Sequence, residues 1–100
     1  MLQKFRTYQL SVKFYKSAVK LKLPRHLKDQ MNRTSSSICL NLAEESGKKT
    51  VKDKIKFYSI SLGSLRECQA IMDLTNDVDP ELIRLADYIG ACLYKLCYPS

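Results

Sequence analysis

The chain has 100 residues, enough for one domain with a modest core and too few for two. Its 45% hydrophobic and 27% charged residues exclude a disordered chain. The sequence contains neither a signal-peptide pattern nor a run of about 18 apolar residues, so we expect one cytoplasmic domain over residues 1–100 with no membrane segment.

Charge is unevenly distributed along the chain, whose formal net charge is +7. Residues 1–56 hold 14 Lys/Arg against 4 Asp/Glu, whereas residues 57–100 hold 3 against 6. A basic half of this kind predicts an acidic or polyanionic partner.

The first predicted element is a helix over residues 3–22, which Pro24 ends. One face, which we expect to point to the core, repeats an apolar residue every three or four positions: Phe5, Tyr8, Val12, Tyr15 and Val19. Roughly opposite are Leu10, Phe14 and Leu21. Because this second stripe would be exposed in a lone subunit, we expect it to form the contact between copies of the chain.

Two further helices are predicted in the middle of the chain. One covers residues 25–46, ends at Gly47 and has the apolar stripe Leu27, Met31, Thr34, Ile38 and Leu42. The next covers residues 51–77 and is capped by Thr50. It has two apolar stripes, one of Val51, Ile55, Tyr58, Leu62 and Leu65, the other of Phe57, Ile60, Ile71 and Leu74.

A fourth helix is predicted from Pro80 to about residue 97, because Asp79 before a proline is a strong helix start. Its apolar stripe is Leu82, Ala86, Ile89, Leu93 and Leu96. The loops between the helices are short and no segment has a strand pattern. The sequence therefore predicts an all-α fold, an antiparallel up-down-up-down four-helix bundle.

Polar residues form a second stripe on the second helix: Gln30, Arg33, Ser37, Asn41 and Glu44. If the second and third helices run antiparallel, level residues have numbers that sum to about 100. Three matches are then expected, Arg33 with Glu67, Ser37 with Gly63, and Glu44 with Lys56. We interpret them as a structural network that fixes helix register, since the sequence offers no nucleophile, metal or cofactor motif for a catalytic cleft. We expect no enzyme activity and no cofactor.

Basic residues supply the candidate binding surface. One cluster, at a bundle end, contains Lys48, Lys49, Lys52 and Lys54, with Arg6 nearby; a stripe along the first helix adds Lys13, Lys16 and Lys20. Such clusters contact RNA or DNA phosphates without reading sequence, although a solvated basic face is the plainer alternative. The tyrosines outside the predicted core, Tyr88, Tyr94 and Tyr98, could stack on bases if exposed.

The four cysteines, Cys39, Cys68, Cys92 and Cys97, all fall within predicted helices. The sequence has no C-x-x-C motif and no Cys/His cluster. We therefore expect reduced core thiols and no metal site.

The residues of the polar stripe, and those expected to face it on the third helix, also resemble the sequence motifs of a known family. The resemblance spans residues 5–75 and depends on two motifs, Arg33, Ser37, Ile38, Asn41, Leu42, Ala43 and Glu44, then Phe57, Tyr58, Ile60, Gly63, Ser64, Leu65 and Glu67. They resemble the small four-helix bundle proteins encoded within intervening sequences of bacterial 23S ribosomal RNA genes, and the related accessory variability proteins of diversity-generating retroelements. That family typically has glycine directly after the motif's glutamate, where this chain has Glu45.

The resemblance implies a bundle that assembles into a ring, commonly a homopentamer, with a basic surface. It also implies that retroelement members bind nucleic acid and a reverse transcriptase. Our main hypothesis is a noncatalytic oligomeric accessory protein that binds RNA or DNA, together with a reverse transcriptase. The alternative is a protein-interaction scaffold encoded in an rRNA intervening sequence, with no direct role on nucleic acid.

Overall fold

Four α-helices account for most of the structure, a computed structural model that describes residues 2–45, 47 and 50–99. They are α1 (Leu2–Ala18), α2 (Arg25–Glu45), α3 (Val51–Asp73) and α4 (Pro80–Cys97). α1 packs against α2 and α4, and α3 packs against the same two helices. The result is a four-helix bundle with extents of 40 × 22 × 18 Å, and the predicted all-α fold is confirmed.

Helix starts follow the expected capping chemistry. Thr50 Oγ1 accepts a hydrogen bond from Asp53 N at 3.1 Å, as predicted for the start of α3. At α4, Asp79 Oδ1 accepts from Glu81 N at 3.0 Å, while Pro80 occupies the first turn. These side chains supply acceptors to backbone N–H groups that have no partner within the helix.

Two helices end earlier than predicted. α1 ends at Ala18 rather than near residue 22, because Leu21 N bonds back three residues to Ala18 O and tightens the turn. Lys28 Nζ then donates to the carbonyls of Val19 and Leu21 at 2.8 and 3.2 Å. α3 ends at Asp73 rather than near residue 77.

The largest correction concerns which face of α1 is buried. Phe14 is 0% exposed, whereas Phe5, which was predicted to be in the core, is 58% exposed. The other predicted core residues of this helix, Tyr8, Val12, Tyr15 and Val19, are half-buried. The helix is therefore rotated by roughly a third of a turn from the predicted orientation, at about 100° per residue.

The predicted subunit contact through Leu10, Phe14 and Leu21 is wrong for Phe14, for the same reason, and stays a prediction for Leu10 and Leu21. Phe14 belongs to the core cluster, and Leu10 and Leu21 are partly buried against it. Thr7 and Ser11 complete the buried face, with Thr7 Oγ1 donating to Gln3 O at 2.7 Å and Ser11 Oγ to Thr7 O at 2.8 Å. Each of these hydroxyls donates a hydrogen bond to a carbonyl of its own helix. Thr7 and Ser11 can therefore be buried, although the apolar spacing of the sequence predicts that they are exposed.

The other helices agree better with the predicted core. The stripe of α2 is buried from Met31 to Leu42, and that of α4 from Leu82 to Leu93. In α3 the second predicted stripe is partly wrong, because Ile60 and Leu74 are exposed. Cys68, Cys92 and Cys97 are buried, Cys39 is half-buried, and all four are free thiols.

Candidate nucleic-acid interface

The charged side chains exposed on α1 are all basic. Its sequence contains no Asp or Glu, and the first acidic residue of the chain is Asp29. Arg6, Lys13 and Lys16 of α1, and Lys20 in the turn after it, are all exposed. This stripe therefore offers four cations to solvent on a segment that contributes no carboxylate to neutralise them.

Two cavities lie between α1 and α4. The first, of about 560 Å³, is lined by Lys13, Lys20, Leu21, Leu82, Leu85 and Arg84, and also by Tyr88. The second, of about 370 Å³, is lined by Arg6, Thr7, Cys92 and Lys95, and also by Tyr88. Because Tyr88 lines both, we describe them together as the α1–α4 groove.

Acidic residues occur at one end of the groove only. Asp79 and Glu81 line the first cavity, and the second has no acidic lining residue. Asp79 caps α4, and Glu81 forms an ion pair with Arg84. The groove is therefore most positive from Lys13 towards Arg6 and Lys95.

The predicted lysine-rich end is described in part. Lys52 is exposed and Lys54 half-buried, both in the first turn or two of α3. Lys48 and Lys49 lie outside the described residues. Lys4, at the same end of the bundle, places its ammonium 3.3 Å from Glu45 Oε2.

Glu45 is the buried carboxylate at this end. It is 1% exposed, and its Oε2 has no hydrogen-bond donor among the described residues, so the Lys4 ammonium compensates this oxygen by charge. Tyr58 also interacts with the carboxylate. Burial, then the charge of Glu45 and a hydrogen bond donated to it, raise the pKa of Tyr58 to about 12.

We expect stability to fall as the pH rises from about 9 towards 12. Burial raises the pKa of Cys68 from 9.0 to about 12 and that of Cys39 to about 11. In that range the unfolded chain has released protons that the folded chain still holds, so unfolding becomes more favourable. Urea titrations at pH 8 and 10.5 should show Cys68→Ala losing about 1–2 kcal/mol less than wild type between the two pH values. An equal loss in both proteins would contradict the assignment.

The polar stripe of α2 does meet α3, but two of the expected pairs have changed partners. Ser64 Oγ donates to Ser37 Oγ at 2.9 Å, and Thr34 Oγ1 donates to Ser64 O at 3.2 Å. Asn41 Nδ2 donates to Ser37 O at 2.8 Å. The numbers of the residues paired across the two helices sum to about 100, which is the expected antiparallel register.

The predicted pairing of Arg33 with Glu67 is not the one that forms. Glu67 Oε2 accepts instead from Gln30 Nε2 at 2.7 Å, and Arg33 is exposed at the rim of the same small cavity. Ser37 meets Ser64 rather than Gly63, and open space surrounds the position of a Cβ at Gly63. Glu44 and Lys56 are both exposed, and their pairing stays a prediction.

Two residues at these sites were not predicted from the sequence. Arg84 lines the groove. The sequence could have indicated this, because Arg84 is a basic residue that lies outside the apolar stripe of α4. Glu45 is buried although it is charged, and nothing in the apolar spacing of α2 indicates this.

The described residues offer neither a metal cluster nor a membrane span. No three of their His, Cys, Asp or Glu side chains lie close enough together to hold a metal ion. No helix in the part of the chain that the structure describes is long and apolar enough to span a bilayer.

Comparisons with known proteins place the chain in a family. No curated protein and no solved structure matches it. A family model described as 23S rRNA-intervening sequence protein matches residues 3–82, which include α1, α2, α3 and the start of α4. The matched region contains both polar motifs of the α2–α3 interface, and the chain belongs to the 23S rRNA-intervening sequence protein family.

Proposed function

We propose that this protein is a noncatalytic accessory protein that binds nucleic acid through its basic surface. The observation that supports this most directly is that the acid-free α1 and the turn after it present Arg6, Lys13, Lys16 and Lys20 to solvent beside a groove. Clustered cations of this kind release counterions from the phosphate backbone when they bind it, so affinity depends on charge rather than on base sequence. Arg6 and Lys52 extend this basic surface to the lysine-rich end of the bundle.

Removing three of these four charges should weaken binding. The variant is Lys13→Gln/Lys16→Gln/Lys20→Gln, and the measurement is fluorescence anisotropy with a labelled RNA and a labelled DNA duplex from 50 to 200 mM salt. On duplex DNA the slope of log K against log salt should become shallower by about 0.9 for each phosphate that the variant no longer neutralises, and we expect about two or three such phosphates. Unrelated sequences should be affected equally.

A matched control removes the same charge elsewhere. Arg25, Arg33 and Lys56 are exposed and do not line the α1–α4 groove. Changing these three to Gln should leave the salt slope within about 0.5 of wild type. If both triple variants lose affinity equally, binding is not localised to α1, and thermal melts of each variant exclude misfolding as the cause.

The scaffold hypothesis predicts a different outcome of the same assay. Under the scaffold hypothesis, the basic α1 surface contacts an acidic protein. The wild-type protein should then bind neither RNA nor DNA, even at 50 mM salt. Our main proposal also includes a relationship to the retroelement accessory proteins and, with it, a reverse transcriptase as the protein partner. Self-association into a ring also stays a prediction, for which the exposed Leu2 and Phe5 offer apolar surface in place of the buried Phe14.

A further inference from the structure

We propose that the α1–α4 groove binds single-stranded nucleic acid, with one base stacked on Tyr88. This inference rests on the proposed function and names the form of nucleic acid that the site takes. It follows from three features of the groove: the spacing of its cations, the chemistry of its floor, and the position of its aromatic residue.

Cations of α1 and of the turn that follows it form a line along the groove. Arg6 and Lys13 are seven residues, or two helical turns, apart, so they lie on one face of α1, separated by about 10 Å at 1.5 Å per residue. Lys20 follows in the turn after Ala18. All three line the groove. Lys95, from α4, lies on the opposite wall of the second cavity. Such a line can follow the phosphates of an extended strand.

The less exposed side chains that line the groove form its floor, and all of them except Thr7 are apolar. Leu21, Leu82 and Leu85 contribute to the first cavity, and Cys92 to the second. A duplex presents phosphates and sugars outward and keeps its bases stacked inside, so it offers nothing apolar to this floor. A single strand can turn its bases towards it while its phosphates contact the rim.

Tyr88 is placed to act as the stacking platform. Its side chain lines both cavities and is 50% exposed, so part of the ring is open to a ligand in the groove. Every base has a π-face, so stacking on one tyrosine adds affinity without sequence preference. This agrees with a surface that reads charge rather than sequence.

The acidic residues at one end of the groove determine which half of it the strand contacts more closely. Asp79 and Glu81 would repel phosphates near Lys20, although Glu81 is already paired with Arg84. From Tyr88 towards Arg6 and Lys95 the lining has no acid. The strand therefore contacts the half of the groove nearer the lysine-rich end more closely.

The test compares Tyr88→Ala with wild type on a labelled 15-nucleotide oligouridylate and on a DNA duplex of the same number of base pairs. Loss of one stacked base should weaken oligouridylate binding about 5- to 150-fold, corresponding to 1–3 kcal/mol. Duplex affinity should change by less than about twofold, because a paired base cannot reach the ring. Tyr88→Phe should bind as wild type, since it keeps the aromatic face.

Tyr94→Ala is the matched control on the same helix. Tyr94 is 55% exposed, does not line the groove, and has its ring centroid 4.7 Å from that of Tyr98. Its loss should leave oligouridylate affinity within about twofold of wild type. Equal losses in the two alanine variants, or equal effects of Tyr88→Ala on strand and duplex, would overturn the inference while leaving charge-based binding intact. Failure of wild type to bind either probe would instead refute the proposed function.

Discussion

Replacing Phe14 by alanine is expected to lower the free energy of unfolding by about 3–5 kcal/mol. Phe14 is 0% exposed and belongs to the core cluster that all four helices build. Truncation removes the transfer free energy of the ring and leaves a cavity that a close-packed bundle can only partly fill. Chemical denaturation of both proteins measures the difference.

Phe5→Ala provides the control within the same helix. Phe5 is 58% exposed, so the same chemical change should alter the free energy of unfolding by less than about 1 kcal/mol. A smaller loss for Phe14→Ala than for Phe5→Ala would mean that α1 has the opposite rotation, with the stripe that contains Phe5 in the core.

Replacing Lys4 by methionine should cost about 3 kcal/mol of stability. The side chain of Glu45 is 2% exposed, and the Lys4 ammonium lies 3.3 Å from its Oε2. Removing the cation leaves a buried carboxylate without its compensating charge, while methionine preserves most of the apolar stem. Urea titration at pH 7 gives the change in free energy.

A second variant separates charge from packing. In Lys4→Met/Glu45→Met both charges are gone, so most of the lost stability should return, since replacing a whole buried pair by apolar side chains is often neutral. Lys52→Met makes the same lysine change at an exposed position and should cost less than about 0.5 kcal/mol. If Lys4→Met costs no more than this control, the ion pair contributes nothing measurable.

Periodicity predicted the helices that have one clear apolar stripe. α2 and α4 bury Met31 to Leu42 and Leu82 to Leu93 as expected, because polar residues clearly separate the two faces of each helix. α1 has apolar and aromatic residues on two sides, so hydropathy alone could not choose between them. In the structure, the buried face of α1 is the one that contains Thr7 and Ser11. Their hydroxyls donate hydrogen bonds within the helix, so these small residues can pack in the core.

The register of α2 against α3 was also predictable, but the partners within it were not. A short connection fixes which residues are level, and the hydrogen bonds that link Ser64 with Thr34 and Ser37 have the expected spacing. Gln30 and Arg33 are one turn apart, and both line the cavity that contains Glu67. Which of them bonds to the carboxylate depends on side-chain rotamers, which spacing does not determine.

The candidate site was predicted as a set of charges and not as a groove. The exposed cations of α1 follow from sequence, since no acid precedes Asp29. The groove requires the rotation of α1, because only then do Arg6 and Lys13 line the side that faces α4. An error in the buried face therefore also concealed that Arg84 and Tyr88 line a groove together with these cations.

The α1–α4 groove joins the first helix of the chain to the last, and this has a consequence for folding. Closing the bundle brings together segments at opposite ends of the sequence, a contact of high sequence separation that local helix formation cannot supply. The groove consequently exists only when the whole chain is folded. A ligand held there binds the native state and not the unfolded one, so it raises the unfolding free energy by RT ln(1 + [L]/Kd). Nucleic acid at a hundred times its Kd would contribute about 2.7 kcal/mol, comparable with a buried side chain of the core.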